Sequence, residues 1–484
     1  MDNDLISWHS WSVETFEKAR EEDKAIFLSI GYKGCYWCEL MAEESFVDEE
    51  IAMLLKENFI AIQIDSNDRP DIGLYHHAVF TQMTGREGSY PLSIFMTPQQ
   101  IPFYSATYIP VSRRDGMMGF DETLELVTQK YKQDRGTLIA KGNEVLSEMN
   151  GHQSTIEATK IDGSLSALAS EQIKALFDEE HGGFGDVPKF PRHSVLNLLM
   201  DLYERDDDIE LLDILETSLD AMLRKGLYDA KKGGFHRYSI DREWENINSG
   251  KTLYNNALMV EVLLRAYSIT DDEKYKKAAT RTLLFIQEHM SKDGLYYASY
   301  DDSKIVDERV MTAWNAMTIK AIFSASDIDQ SYLDLAIESL NNLQATMMRK
   351  GELYHSMLDE EPTTKAFLED YAYLADTLIA AYEATKEEHY LIKASELINE
   401  ALRQFFTGGR WRFANGEMMT YADTADRDYP SSLSMMAKVL AKASKLINPE
   451  YEKFLKRTLE IHSYELMRQP ISMPELCRVA IGYQ

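Results

Sequence analysis

A glycine next to an aromatic residue returns along the C-terminal two-thirds of this chain at intervals that leave room for two helices each time. The loops are Gly182-Gly-Phe-Gly185, Gly233-Gly-Phe-His236, Gly294-Leu-Tyr-Tyr297, Gly351-Glu-Leu-Tyr354 and Gly408-Gly-Arg-Trp411, recurring every 50 to 61 residues. A repeat of this size marks one supersecondary unit used several times over. About twelve helical segments follow Leu165, hence six hairpins, and six hairpins of that length close into an (α/α)6 toroid. Each loop follows the same member of its hairpin, so all five are expected on one face, as the rim of a central funnel. A funnel ringed with aromatics predicts a small-molecule site.

The first 150 residues follow a different rule, alternating element types as an α/β unit does. Ser12 is placed to cap a helix carrying Val13, Phe16 and Ala19, and the apolar run Ala25 to Ile30 reads as a buried strand. Gly31-Tyr-Lys-Gly-Cys-Tyr-Trp-Cys38 comes next, then a helix to about Glu44 and another capped by Asp48. Phe59 to Asp65 is a second buried strand. Leu92 to Met96 and Phe103 to Tyr108 read as two strands around the turn Thr97 to Pro102, and an amphipathic stretch runs from Phe120 to about Met149. Gly151 to Gly163 is polar and aperiodic, which makes it the linker. The expected organisation is therefore an α/β domain over 1–150, a linker over 151–163 and a helical domain over 164–484; a chain of 484 residues is too long for one ordinary core.

Composition excludes several classes. An apolar fraction of 44% with 27% charged residues describes a folded protein, and no apolar run reaches the length a bilayer demands. The N-terminal MDNDLISWHSWSVE lacks a basic n-region and an apolar h-region, so the expected location is the cytoplasm. A formal charge of −29 repels phosphate backbones, which argues against nucleic acid and anionic membranes as partners. The three cysteines, Cys35, Cys38 and Cys477, are too few for a disulfide framework.

A CxxC pair serves either redox chemistry or half of a zinc site. Here it sits between a buried strand and a helix, so the first thiol lies at a helix N-terminus, where unpaired N–H groups and the dipole stabilise a thiolate. Cys35 is then the attacking thiol and Cys38 the resolving one. A second pair of zinc ligands is missing, since Cys477 is remote and His76-His77 is an isolated doublet. Pro91 opens a strand beyond the motif, either as an ordinary trans residue or as the cis-proline beside the disulfide that receives a substrate backbone in a thioredoxin-like fold. Lys33 acts to lower the thiol's pKa and Glu39 to raise it.

These stretches resemble the spermatogenesis-associated thioredoxin-domain proteins, which join a thioredoxin-like domain to a six-hairpin-glycosidase-like domain. The resemblance is carried by Lys24 to Phe46 with its GYKGCYWCE core, by Phe59–Asp65, Arg69-Pro-Asp71, Pro91–Pro98, Pro188–Pro191, Gly233–Asp241, Leu253–Leu258, Thr312–Met317 and Leu368–Asp376. It implies a two-domain architecture whose activity is poorly defined even within the family. Departures are specific. The family's CHWCH is here Cys35-Tyr-Trp-Cys-Glu39, its GGWPL is Gly88-Ser-Tyr-Pro-Leu92, and its HFEKMLYDNA is Asn248-SGKTLYNNA257, which removes a His, a Glu and an Asp from the pocket.

In the helical domain, glycoside hydrolysis would need two opposed carboxyl groups, with Asp241, Asp307, Glu308, Glu369 and Asp370 as candidates near the loop face. Epimerisation would call on a base such as His236. Trp244, Tyr254, Trp314 and Tyr371 either stack on a flat ligand or fill the toroid core. Lys189 and Arg237 are candidates for binding an anionic group, and Tyr238, Asn255 and Asn315 complete the expected pocket lining. No metal or cofactor is expected. The reading is a thiol/disulfide oxidoreductase-like protein whose toroid binds a small molecule or a protein partner; the alternatives are a carbohydrate-active enzyme using the toroid pocket and a non-catalytic binding or assembly protein.

Overall fold

The computed structural model describes residues 5–151, 158–301, 303, 306–416 and 418–483. The chain divides into two compact units, Met1–Ile156 with Met418–Thr420, and Glu157–Glu417 with Tyr421–Gln484. Most of the expected linker, residues 152–157, lies outside the described residues.

The first unit runs β1 (Trp8–His9), α1 (Val13–Glu21), β2 (Ala25–Gly31), α2 (Tyr36–Glu44), α3 (Glu49–Asn58), β3 (Phe59–Asp65), α4 (Pro70–Thr84), β4 (Leu92–Met96), β5 (Pro102–Ala106), α5 (Phe120–Gln133) and α6 (Arg135–Gly151). The sheet order is β1-β3-β2-β4-β5, with β1, β3 and β2 parallel and β4 and β5 antiparallel. This is a thioredoxin-like arrangement. Its central strands are apolar on both faces because both are covered. Phe27, Phe59, Phe95 and Phe120 pack on one side, and Ile26, Leu28, Ile62 and Ile94 on the other with Ile72 and Phe80 of α4. One element is new and one expectation changes. Pro70–Thr84 is a helix, started by a proline in its first turn and stopped by Gly85 at φ 68°. The stretch from Phe120 is two helices, because Asp134 leaves the helical region at φ −138°.

The second unit has twelve α-helices among its described residues: α7 (Ser164–Leu176), α8 (His193–Asp206), α9 (Ile209–Arg224), α10 (Leu253–Thr270), α11 (Glu273–His289), α12 (Thr312–Ala325), α13 (Ser331–Met347), α14 (Leu368–Thr385), α15 (His389–Phe405), α16 (Ser432–Leu446), α17 (Glu452–Leu466) and α18 (Pro474–Tyr483). Helices α8, α10, α12, α14, α16 and α18 touch in sequence and close into an inner ring; each carries one outer helix, and α7 pairs with α18. Burial follows the layers. Leu253 to Val260 of α10 is buried without interruption, whereas α11 buries one stripe. All five glycine loops join an outer helix to the next inner one, so they share the end of the toroid at which the inner helices begin. The segment past 163 is not wholly helical: Leu295–Tyr300 pairs with Val306–Met311, which pairs with Glu352–Leu358, which pairs with Glu361–Lys365. The alternating, aromatic-rich Leu295-Tyr-Tyr-Ala-Ser-Tyr300 suits a strand with one covered face.

The loops are held by a device used twice over. Asn256, in the first turns of α10, accepts from the Phe235 amide at 2.6 Å and donates to the carbonyls of Phe235 (3.1 Å) and Thr252 (2.9 Å). Asn315 of α12 repeats this on Tyr296 (2.8 and 2.9 Å) and Met311 (3.0 Å). The first two loops also share a buried lysine: Lys189 donates to Asp178 and the Gly182 carbonyl, Lys251 to Asp229 and the Gly233 carbonyl. Gly234 sits at φ 78°, and a Cβ there would lie 2.6 Å from the Phe285 ring, so the position admits only glycine. We expect Asn256→Ala and Asn315→Ala each to destabilise the toroid by about 2–4 kcal/mol, because each strands a buried amide, as read from urea unfolding midpoints.

Candidate functional site

The residues that position the cysteines come from the sheet. Strand β2 pairs with β4 so that Ile30 faces Leu92, which brings the next residues, Gly31 and Pro91, to the same end of the pair. The Tyr90–Pro91 peptide is cis. Gly31 abuts the motif: a Cβ on it would lie 2.9 Å from Cys38 Sγ. Cys35 is the N-cap of α2 and is joined to Cys38 by a disulfide, with the Cys38 amide donating to Cys35 Sγ at 3.3 Å. The Cys35 carbonyl also accepts from the amides of Cys38 and Glu39. The thiol side of the pair thus lies where helix N–H groups favour negative charge on sulfur. Glu39 turns back to accept from the Gly34 amide at 3.2 Å, so its charge caps the loop before the helix.

Around the pair stands an aromatic surface. Tyr36 and Trp37, between the cysteines, are 56% and 49% exposed, while Cys35 itself is 4% exposed. Trp37 leans on Tyr108 at 5.1 Å, and Tyr108 is fixed by Glu44 and Arg114. Tyr90 packs between Tyr32 (5.4 Å) and His77 (4.7 Å). The zinc alternative finds no group of three metal-binding side chains among the described residues. His76 is buried, donates through Nδ1 to the Ile72 carbonyl, and is held down to about 4 by burial. Cys477 is buried in α18, where burial keeps its thiol protonated.

In the toroid, the structure separates the expected pocket residues into two sets. Tyr254, Trp314 and Glu369 stand at the starts of three successive inner helices and meet around Tyr429. The Tyr254 ring lies 4.9 Å from Trp314 and 5.1 Å from Tyr429, whose hydroxyl donates to Glu369 at 3.1 Å. Arg237 joins this end through Asp428 at 2.7 Å. Asn255 bridges the backbone of His236 and the ring of His193. The His236 ring engages the Ser249 carbonyl at 2.9 Å. Tyr238 packs on Phe190 at 5.0 Å.

The other set belongs to the framework. Lys189 is wholly buried and spends its three protons on Asp178, Gly182 and Arg242, leaving none for a ligand. Asp241 organises its own turn, accepting from Ser239, Glu245 and Asn246. Trp244 is fully buried and donates to the Gly182 carbonyl. Asn315 is the loop clamp already described. Tyr371 turns outward to Phe405 and Gln404. Asp307 is paired with Arg309, and Glu308 is exposed. Asp370 accepts from the Ala313 and Phe367 amides and faces His355 at 2.9 Å, so it holds a helix start in place.

Glu369 differs from its neighbour. It is 5% exposed, and burial pushes it up to about 7, with Asp370 adding to the rise and His355 and Tyr429 opposing it. An acid of that strength gives or takes a proton near neutrality. Sequence reasoning missed Tyr429 and His355; the first precedes Pro430 in a stretch without periodicity, and the second follows the fourth glycine loop by one residue.

A thioredoxin-like domain with a disulfide-forming CxxC at a helix N-cap, followed by an (α/α)6 toroid, defines the class. Residues 1–150 match the family described as Thioredox_DsbH, a protein of unknown function (DUF255), and the chain is similar to spermatogenesis-associated proteins over most of its length. It is 30% identical over 355 residues to spermatogenesis-associated protein 20 of Rattus norvegicus, covering 72% of this chain and 45% of that one. With its Homo sapiens counterpart it shares 32% over 305 residues, 61% of this chain and 39% of that one. The chain therefore spans about half the length, or less, of these two relatives. Among solved structures, a sugar epimerase from a ruminal bacterium superposes with a TM-score of 0.55 at 13% identity, over 61% of this chain and 83% of that one. The cellobiose 2-epimerase of Spirochaeta thermophila DSM 6192 gives 0.53 at 13%, over 67% and 100%. At such identities the likeness is one of fold. No helix among the described residues is long and apolar enough to cross a membrane.

Two measurements check this geometry. Gly31→Ala is expected to lower the thermal stability of the oxidised protein by about 1–3 kcal/mol and of the dithiothreitol-reduced protein by less, since only the disulfide prevents Cys38 from moving aside. A carboxyl raised by folding makes stability fall as pH climbs from the unfolded value, near 4.5, through about 7. Glu369→Gln should therefore stabilise the protein by up to about 3 kcal/mol at pH 8 and leave it unchanged at pH 4.5.

Proposed function

We propose that the chain carries out thiol–disulfide exchange on protein partners, with Cys35 as the attacking thiol and Cys38 as the resolving one. The observation that supports this is the Cys35–Cys38 disulfide at the N-cap of α2, with a helix amide donating to the first sulfur. In the reduced protein, the Cys35 thiolate attacks one sulfur of a substrate disulfide, forming a mixed disulfide and releasing the other sulfur as a thiolate that takes a proton from water. Cys38, deprotonated in turn, attacks Cys35 Sγ and expels the second substrate sulfur. The partner gains two electrons and two protons, and the CxxC pair is left oxidised until a dithiol reductant restores it.

The low exposure of Cys35 favours partners that seat an extended segment against the Tyr36–Trp37 face and the Pro91 end of β4 over small thiols. The net charge of −29 supports a protein partner over nucleic acid. A second reading draws on Glu369: an acid near neutrality beside a phenol and two aromatic faces suits proton transfer on a sugar-like ligand at the loop end of the toroid.

Insulin reduction in the presence of dithiothreitol tests the first reading. Wild type is expected to outpace Cys35→Ser by at least roughly tenfold, and Cys38→Ser to trap a mixed disulfide that dithiothreitol releases. Equal rates for wild type and Cys35→Ser would remove dithiol catalysis.

A further inference from the structure

The inner ring encloses a cavity of about 510 Å³ away from the glycine loops. It reaches from Tyr373 and Pro430 to the C-terminal ends of α10 and α12, where the exposed Ser268 and Asp327 form its rim. Every inner helix contributes to its wall, from Asn197 of α8 to Arg478 of α18. Its size falls in the range of small-molecule sites.

Its charges are paired with one another. Lys320 lies 3.0 Å from Glu261 and 3.1 Å from Asp376; Lys442 and Lys438 approach Asp376 at 3.3 and 3.8 Å. Glu475 is held by Lys438 at 2.9 Å and Arg478 at 2.7 Å. The lining counts four cations (Arg265, Lys320, Lys438, Arg478) and four anions (Glu261, Asp327, Asp376, Glu475), so it offers no net field to an ion. Burial would raise Asp376, but the three lysines hold it well below the usual carboxylate range, and it stays ionised.

Those carboxylates retain acceptor capacity. Glu261 Oε1 and both oxygens of Asp376 are buried and are met only by lysine ammonium groups, Lys320 at 3.0 Å from Glu261 and 3.1 Å from Asp376, and Lys442 at 3.3 Å from Asp376. A carboxylate has about four lone-pair sites, so the lysines leave room on these oxygens for further donors. Between these polar groups the wall is apolar, with Leu258, Leu264, Met317 and the Tyr373 ring.

We propose that this cavity, at the end of the toroid opposite the glycine loops, binds an uncharged polyhydroxylated molecule of mono- or disaccharide size. Its hydroxyls would donate to Glu261 and Asp376 and accept from the neighbouring lysines and arginines, while its C–H faces lie on Tyr373 and the leucines. A cation would meet three lysines around Asp376, and an anion would meet the four carboxylates.

Calorimetric titration of the full chain decides this, with mannose, maltose and cellobiose as neutral probes and spermidine, citrate and glycylglycine as charged ones. At least one saccharide is expected to bind saturably, and the affinity to drop at least roughly tenfold in Ser324→Trp, which fills the cavity near its rim, and in Glu261→Gln. Should Glu261→Gln fail to fold, Ser324→Trp carries the test alone, because Ser324 is only half-buried and makes no ion pair. The proposal is overturned if no saccharide binds, if a charged probe binds in preference, or if saccharide binding survives Ser324→Trp. None of these results depends on the outcome of the insulin assay.

Discussion

Two asparagine side chains hold the end of the toroid at which Tyr254, Trp314 and Glu369 stand. Asn256 and Asn315 each seal a loop residue onto the helix that follows it, satisfying an amide, its carbonyl and a first-turn helix carbonyl with one carboxamide. An inner helix of the ring is buried on nearly every side, so its orphan terminal groups have little access to water and need protein partners. The starts of α10 and α12 are tied in this way, and the start of α14 by Asp370, which accepts from the Phe367 and Ala313 amides. Tyr254, Trp314 and Glu369, at these three starts, meet around Tyr429.

Buried carboxylates show how one residue type takes several roles. Asp370 is neutralised by backbone amides and His355, Asp376 by three lysines, and Asp178 by Lys189 and Arg242. Glu369 has a phenol and a more distant imidazole, and burial raises its pKa accordingly. The effective penalty for burying an ion is several kcal/mol, so the supply of donors at each site decides whether the group acts as a strut or as an acid.

In the thioredoxin-like unit the deciding constraint is register. The antiparallel pairing of β2 with β4 sets Gly31 and Pro91 side by side, and the absence of a side chain at Gly31 lets Cys38 close onto Cys35. The same packing leaves Tyr36 and Trp37 outside while Cys35 is nearly covered.

Much of this was legible along the chain. The glycine loops announced six hairpins and placed their five connections at one end; the caps Ser12 and Asp48 and the strands 59–65 and 92–96 lie where their residues put them. Lys189, Asp241 and Trp244 stood near the loops in sequence yet serve the framework, since only the folded chain shows that their polar atoms are already engaged. Helix α4 and the strands 295–300, 306–311, 352–358 and 361–365 escaped because short apolar runs lack a distinctive period. Local chemistry, meaning caps, periodicity and the strand-CxxC-helix order, depends on neighbours a few residues away, and the sequence alone determined it. Which carboxylate is compensated, which cavity stays open and how far Cys35 is covered depend on groups hundreds of residues apart, such as Glu261 and Glu475 on one wall, and only the tertiary structure decided them.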